Sequence, residues 1–140
     1  MTTERAAGRI AGISSMAMRQ VLADLVDEYR QRSSGPVAIE SVGGVDAARR
    51  VRDGEVFDFV VLASDAIQQL ADVGRIDAAS RVDLTRSGVA MAVRAGTPAP
   101  DVASEAAVRD AVLHARSIGY STGPSGAYLV RLFERWEIAG

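Results

Sequence analysis

The 140-residue sequence has no cysteine and no lysine. Without cysteine there are no disulfides, thiolate nucleophiles or cysteine-bearing metal sites, and the lack fits either redox compartment. Without lysine there is no Schiff-base amine and no phosphate-loop lysine. All 16 basic side chains are therefore arginines. Arginine suits two-pronged recognition of carboxylates, although a GC-rich genome explains the usage more simply. A single histidine, His114, leaves a transition-metal site without enough ligands. Neither a metal nor a cofactor is expected.

No apolar run approaches the length of a membrane span, so direct membrane insertion is excluded. The N-terminal stretch carries Glu4 and Arg5 and lacks an unbroken apolar core, unlike a signal peptide. Taken as it stands, the sequence is expected in the cytoplasm, or in the periplasm or outside the cell if a leader has been removed. The formal net charge of −2 gives no general attraction to nucleic acid or anionic lipid. Any bound anion must be held by a local site.

Apolar residues form 48% of the chain and charged residues 24%, the balance of a soluble protein with a core. The length suits one domain or two small lobes. Residues 9–13 read as a strand ending in Gly12-Ile13-Ser14-Ser15. Residues 16–30 follow with apolar side chains at helical spacing, Ser14 or Ser15 serving as cap. A second strand covers 37–41 and a short helix 45–52. A third, nearly continuous apolar strand covers 56–63, broken by Asp58, and a third helix runs from the Ser64-Asp65 cap to Val73. Connections this short dictate a parallel sheet. Further strands are expected at 87–93 and 117–120, with helices at about 104–116 and 127–136. The first α/β lobe is assigned to residues 1–80. Residues 81–140 form a hinge crossing and part of a second lobe, with the boundary between 80 and 87.

Ligands of parallel sheets sit outside the carboxyl ends of the strands. Here those ends are Ser14-Ser15, Ser41 to Gly44, and Ala63-Ser64. Glycine and serine before a helix expose free N–H groups and hydroxyl donors to an oxyanion. Gly43, Gly44 and Ser64 thus join Ser14 and Ser15 as ligand candidates, with Ser121, Gly123, Ser125 and Gly126 in the turn before the last helix. Asp46 and Asp65 would repel an anion at close range, and they are read as complements of the helix dipole. Arg86 and Ser87 stand at the lobe boundary. Arg86 is either a carboxylate partner or a solvated surface arginine. The Tyr128 hydroxyl either meets a ligand or belongs to the core. His114 is read as a dipole partner near a helix end. No residue is assigned a catalytic role. Leu129, Leu132, Phe133 and Trp136 form a core or oligomer face, without the interleaved basic residues of a nucleic-acid platform.

The order of these motifs resembles the type 2 periplasmic-binding-protein superfamily, in its molybdate-binding-like branch of extracellular solute-binding proteins. The resemblance rests on residues 12–17, 41–51, 57–64, 81–89 and 119–128. It implies an α/β fold with parallel βαβ sheets and flanking helices in two lobes that close on a small ligand. In molybdate binders of this kind neutral donors hold the oxyanion. Ser15 matches the first-turn serine, whereas Gly43 stands where a second hydroxyl would be. A carboxylate is therefore at least as well accommodated as molybdate. Such proteins continue beyond the last helix seen here. The chain is then a fragment, a shortened member, or a protomer completed by a second copy in a homodimer. The implied function is binding of a small anion, oxyanion or carboxylate, with a permease of an ABC transporter as partner. The alternatives are a metabolite-sensing effector domain, or an isomerase of a small tricarboxylate such as aconitate.

Overall fold

The computed structural model describes residues 8–138. The chain divides into two compact units between Leu84 and Thr85. The first contains strand β1 (Ile10–Ser15), helix α1 (Arg19–Arg32), strand β2 (Val37–Val42), helix α2 (Gly44–Arg52), strand β3 (Phe59–Val61) and helix α3 (Ser64–Asp72). The second contains helices α4 (Glu105–His114) and α5 (Pro124–Arg135). A one-turn 3-10 segment, Met16–Met18, joins β1 to α1.

The three strands form one parallel sheet in the order β2-β1-β3. The register places Gly12 opposite both Ile39 and Phe59, and Ile13 opposite both Glu40 and Val60. Strand alternation separates the two faces. Ile13, Val42 and Val60 face α2 and α3, where Ile13, Ala47, Val51 and Leu70 form the buried core. Ile10, Val37, Ile39 and Phe59 face α1, whose Leu22 and Val26 line the same apolar groove. Ile13 and Leu70 are completely buried. At about 25 cal/mol per Å² of apolar surface, such side chains carry most of this unit's cohesion.

Asp58 sets the entry to β3. Its carboxylate accepts from the Ala11 N–H at 2.8 Å, and its own N–H donates to the Ala11 carbonyl at 2.8 Å. The acidic interruption of the apolar run is thus a strand anchor. It also explains why β3 starts only at Phe59.

The second unit differs from the expectation. Residues 87–93 and 117–120 form no strand. A strand exists only where a neighbour completes its ladder, and among the described residues no segment pairs with either stretch. Val89, Met91, Val93 and Ile118 are correspondingly exposed. The two helices are joined through Glu105. One of its carboxylate oxygens accepts from Trp136 Nε1 and from Arg135 Nη2, each at 2.7 Å. Phe133 lies between Tyr120, which it meets edge-to-face at a centroid distance of 6.5 Å, and Trp136, whose tilted ring is 6.1 Å away. The apolar face of the last helix is therefore at least partly core.

Gly12 is fixed by packing. A Cβ at this position would overlap the Phe59 ring. Gly12→Ala should lower stability by about 1–3 kcal/mol, the usual cost of overpacking. Adding Phe59→Leu should recover part of that loss in urea unfolding. No recovery would show that the conflict is with the backbone and not with the ring.

Candidate functional site

Parallel pairing brings the carboxyl ends of all three strands to one end of the sheet. Ser15 lies opposite Val42, directly before the Gly43-Gly44 turn into α2. Its side chain points to the α2 face. A Cβ built on Gly44 would lie 3.6 Å from the Ser15 Cβ. The structure therefore brings Ser15 and Gly44 together, with the hydroxyl-bearing side chain beside the N-terminus of α2. Gly43 is the N-cap of α2 and Ala63 the N-cap of α3, and neither makes a side-chain capping bond. The first amides of α2 and the first two of α3 thus carry no side-chain cap, with the dipole favouring negative charge, whereas the third amide of α3, that of Ala66, is taken by the Asp65 carboxylate.

The acidic residues of these first turns are held locally. Asp46 pairs with Arg49 one turn on, and Asp65 accepts from the Ala66 N–H at 2.9 Å. The expected Ser64-Asp65 cap is shifted by one residue: Ser64 is the first helical residue, exposed, and Ala63 takes the cap position. Ser15 caps the 3-10 segment without a side-chain bond.

Ser14 lies elsewhere. It is completely buried, and its hydroxyl shares a 2.8 Å hydrogen bond with the Ser41 hydroxyl. Alternation turns it to the α1 face, away from Ser15. Its hydroxyl joins β1 to β2 below the turns and is not presented at them.

Arg50 fixes α2 relative to β2. Its guanidinium donates to Glu40 at 2.7 and 3.0 Å and to Glu55 at 2.7 and 2.5 Å. It also covers the Phe57 ring, 5.6 Å from its centroid. Hydrogen bonding to Arg50 holds both carboxyls below the usual glutamate value. Sequence reading missed this cluster. Glu40 and Arg50 are ten residues apart, and only the sheet register and the α2 packing bring them together.

In the second unit, the Ser121 and Ser125 hydroxyls share a 2.9 Å hydrogen bond at the start of α5. Gly123 is its N-cap and Pro124 the first helical residue. Gly126 is buried, and the Ser121 carbonyl occupies the place a Cβ would need. Tyr128 is half exposed on the next turn. Arg86 and Ser87 lie in the extended exposed stretch after the unit boundary. His114 ends α4, its Nδ1 2.8 Å from the Asp110 carbonyl. Among the described residues no group of three or more His, Asp or Glu side chains is arranged to hold a metal. No described helix is long and apolar enough to cross a membrane.

With this geometry in view, the comparison with known proteins is specific. The bacterial extracellular solute-binding protein family matches residues 10–140. The chain belongs to this family. The match spans both units of the chain. An aconitate isomerase from Pseudomonas sp is 38% identical over 104 residues, which cover 72% of the chain and 40% of that protein. The chain thus spans well under half the length of this curated relative. No solved structure matches it.

The Arg50 cluster has a pH signature. Both folded carboxyl values are depressed, so the stabilisation is full above about pH 4.3, the ordinary glutamate value. It is lost as the pH falls through the lowered values. The side chains of Glu40 and Glu55 are 53% and 44% exposed, so screening limits each pair to about 0.2–1 kcal/mol. The Tm gap between the natural chain and Arg50→Gln should be widest near neutrality and narrow in acid. A gap independent of pH would mean that Arg50 acts through packing on Phe57 alone.

Proposed function

We propose that the chain is a substrate-binding module that holds a small carboxylate-bearing anion on the strand-end turns of its first unit. The observation that carries this reading is the Ser15 side chain beside the uncapped N-terminus of α2. The uncapped start of α3 lies at the same end of the sheet. Hydroxyl and amide donors on rigid turns hold an anion without a countercharge. Membership of a solute-binding family supports binding of a small solute. Gly43 supplies an amide but no hydroxyl at the second turn, which favours a planar carboxylate over molybdate. The 38% identical relative is named for an isomerase of aconitate, a tricarboxylate, and this supports the same ligand class. Within the second unit, the Ser121 to Gly126 turn supplies similar donors, with Arg86 and Tyr128 as that unit's own candidate contacts. The extracellular character of the family supports a periplasmic role with a permease partner.

The same relative supports a second reading, isomerisation of a tricarboxylate. That reaction needs a base beside the bound carboxylate. Asp46 and Asp65 are the acidic side chains nearest the turns in sequence, and both are engaged locally. Binding is accordingly the primary reading.

A thermal-shift panel with molybdate, tungstate, sulfate, phosphate, citrate and aconitate tests ligand class, because binding to the native state raises Tm. Citrate or aconitate should give the largest shift, and Ser15→Leu should abolish it while the unliganded Tm stays within a few degrees, a modest change in stability. A shift confined to molybdate and tungstate, or one that survives in Ser15→Leu, refutes the carboxylate site. Proton NMR of aconitate with the protein separates the two readings. An unchanged cis-to-trans ratio indicates binding alone, and steady interconversion indicates an isomerase.

Arg86→Ala should weaken citrate at least tenfold more than sulfate, by loss of a charge-assisted contact. Equal losses for the two anions would refute a carboxylate-specific role for Arg86.

A further inference from the structure

Among the described residues no strand pairs with the outer edge of β2. The Ile10 N–H donates to the Pro36 carbonyl at 2.9 Å, so Pro36 faces β1. Alternation along the strand then turns the backbone groups of Val37, Ile39 and Ser41 outward; the Val37 carbonyl accepts from Arg30 Nη2 at 3.4 Å, and the groups of Ile39 and Ser41 pair with no described strand. The sheet ends at this strand. Open edges are usually guarded by proline, lysine, bulges or inward charges. β2 is a regular six-residue strand without proline or lysine. Its one charge, Glu40, is turned to the opposite face and held by Arg50.

A groove of about 620 Å³ runs along this edge under α1. Its helical wall includes Arg19, Ala23, Asp27 and Arg30, which follow one another at intervals of four, four and three residues and so form one stripe. Arg9 also lines the groove. Asp27 is paired with Arg30 at 3.2 Å. Three arginines against one aspartate leave an excess of two positive charges (3 − 1 = 2).

We propose that this groove takes an extended acidic peptide segment, which adds to the sheet as a strand beside β2. The open backbone edge recognises extended polypeptide, and the arginine stripe selects acidic side chains. The dimensions agree. Arg19 and Arg30 are eleven helical residues apart, about 16 Å. Two glutamates on the same side of a strand, four residues apart, span about 13 Å. Flexible arginine side chains cover the difference. A second copy of this chain is a poorer occupant, because antiparallel pairing about Ile39 would bring two arginine-rich grooves together.

Fluorescence anisotropy on the full chain tests the assignment. The probe is a labelled heptapeptide with two glutamates four residues apart and valine or threonine between them. It should bind, weaken with salt, and lose at least tenfold in affinity when its glutamates become lysines. Arg19→Glu should cause a similar loss. Ile39→Pro removes an outward-facing N–H, a placement edge strands tolerate, together with one apolar side chain of the α1-facing groove, and it should abolish binding while circular dichroism stays unchanged. If Ile39→Pro fails to fold, Arg19→Glu and the lysine peptide still decide. Equal binding of both peptides, absence of binding, or concentration-dependent dimerisation that blocks the probe would each overturn the proposal.

Discussion

The first unit depends on β1 having a parallel neighbour on each side. Parallel neighbours require a helical crossover between successive strands. That requirement sets the chain order and places α1 on one face with α2 and α3 on the other. It also collects every strand-to-helix turn at a single end. Ile13, at the centre of β1, is the pivot of the packing, buried among residues from α2 and α3. The candidate site is thus a consequence of topology. Three turns that are 20 to 50 residues apart in sequence become neighbours because three strands point the same way.

Period-two alternation then divides the work between adjacent serines. Ser15 turns toward the start of α2, where an anion can meet its hydroxyl together with helix amides. Ser14 turns inward and pairs with Ser41. A buried hydroxyl without a partner would be costly, and the pair removes that cost. Its position one residue below Ser15 and two below Gly43 ties the ends of β1 and β2 together where they enter the turns. On the outer side, the Arg50 cluster ties α2 to β2. Polar contacts of quite different kinds therefore brace the same loop from opposite faces.

Much of this was legible in the sequence. Apolar runs, glycine stops and short connections located all three strands, all five helices and the parallel sheet of the first unit. The candidate turns followed from the rule that ligands meet the strands' carboxyl ends. Two things were not legible. Alternation was not applied to Ser14 and Ser15, so both were placed at the turn, although a one-residue step changes the face. The strands expected at 87–93 and 117–120 had the right composition, but composition sets only a preference for extended backbone. A strand needs a partner ladder, and that is a property of two segments. The Glu40–Arg50–Glu55 cluster was hidden for the same reason, since its members meet only through the register.

The charge arrangement bears on the proposed anion site. An acidic protein with aspartates at two helix starts would ordinarily repel anions. Here Asp46 is paired with Arg49, and Asp65 is spent on the Ala66 amide. With those charges held locally, the amides of α2 and α3 act as partial positive charges on a rigid frame. Such donors need little reorganisation when a ligand arrives, so the free energy of binding is not spent on ordering side chains. They also carry no full charge, so they discriminate by shape and acceptor position more than by net attraction. In a chain whose cations are all arginine, a site built mainly from backbone and hydroxyl donors leaves the guanidinium groups for a different use. On the first unit three of them, Arg9, Arg19 and Arg30, line the groove along β2.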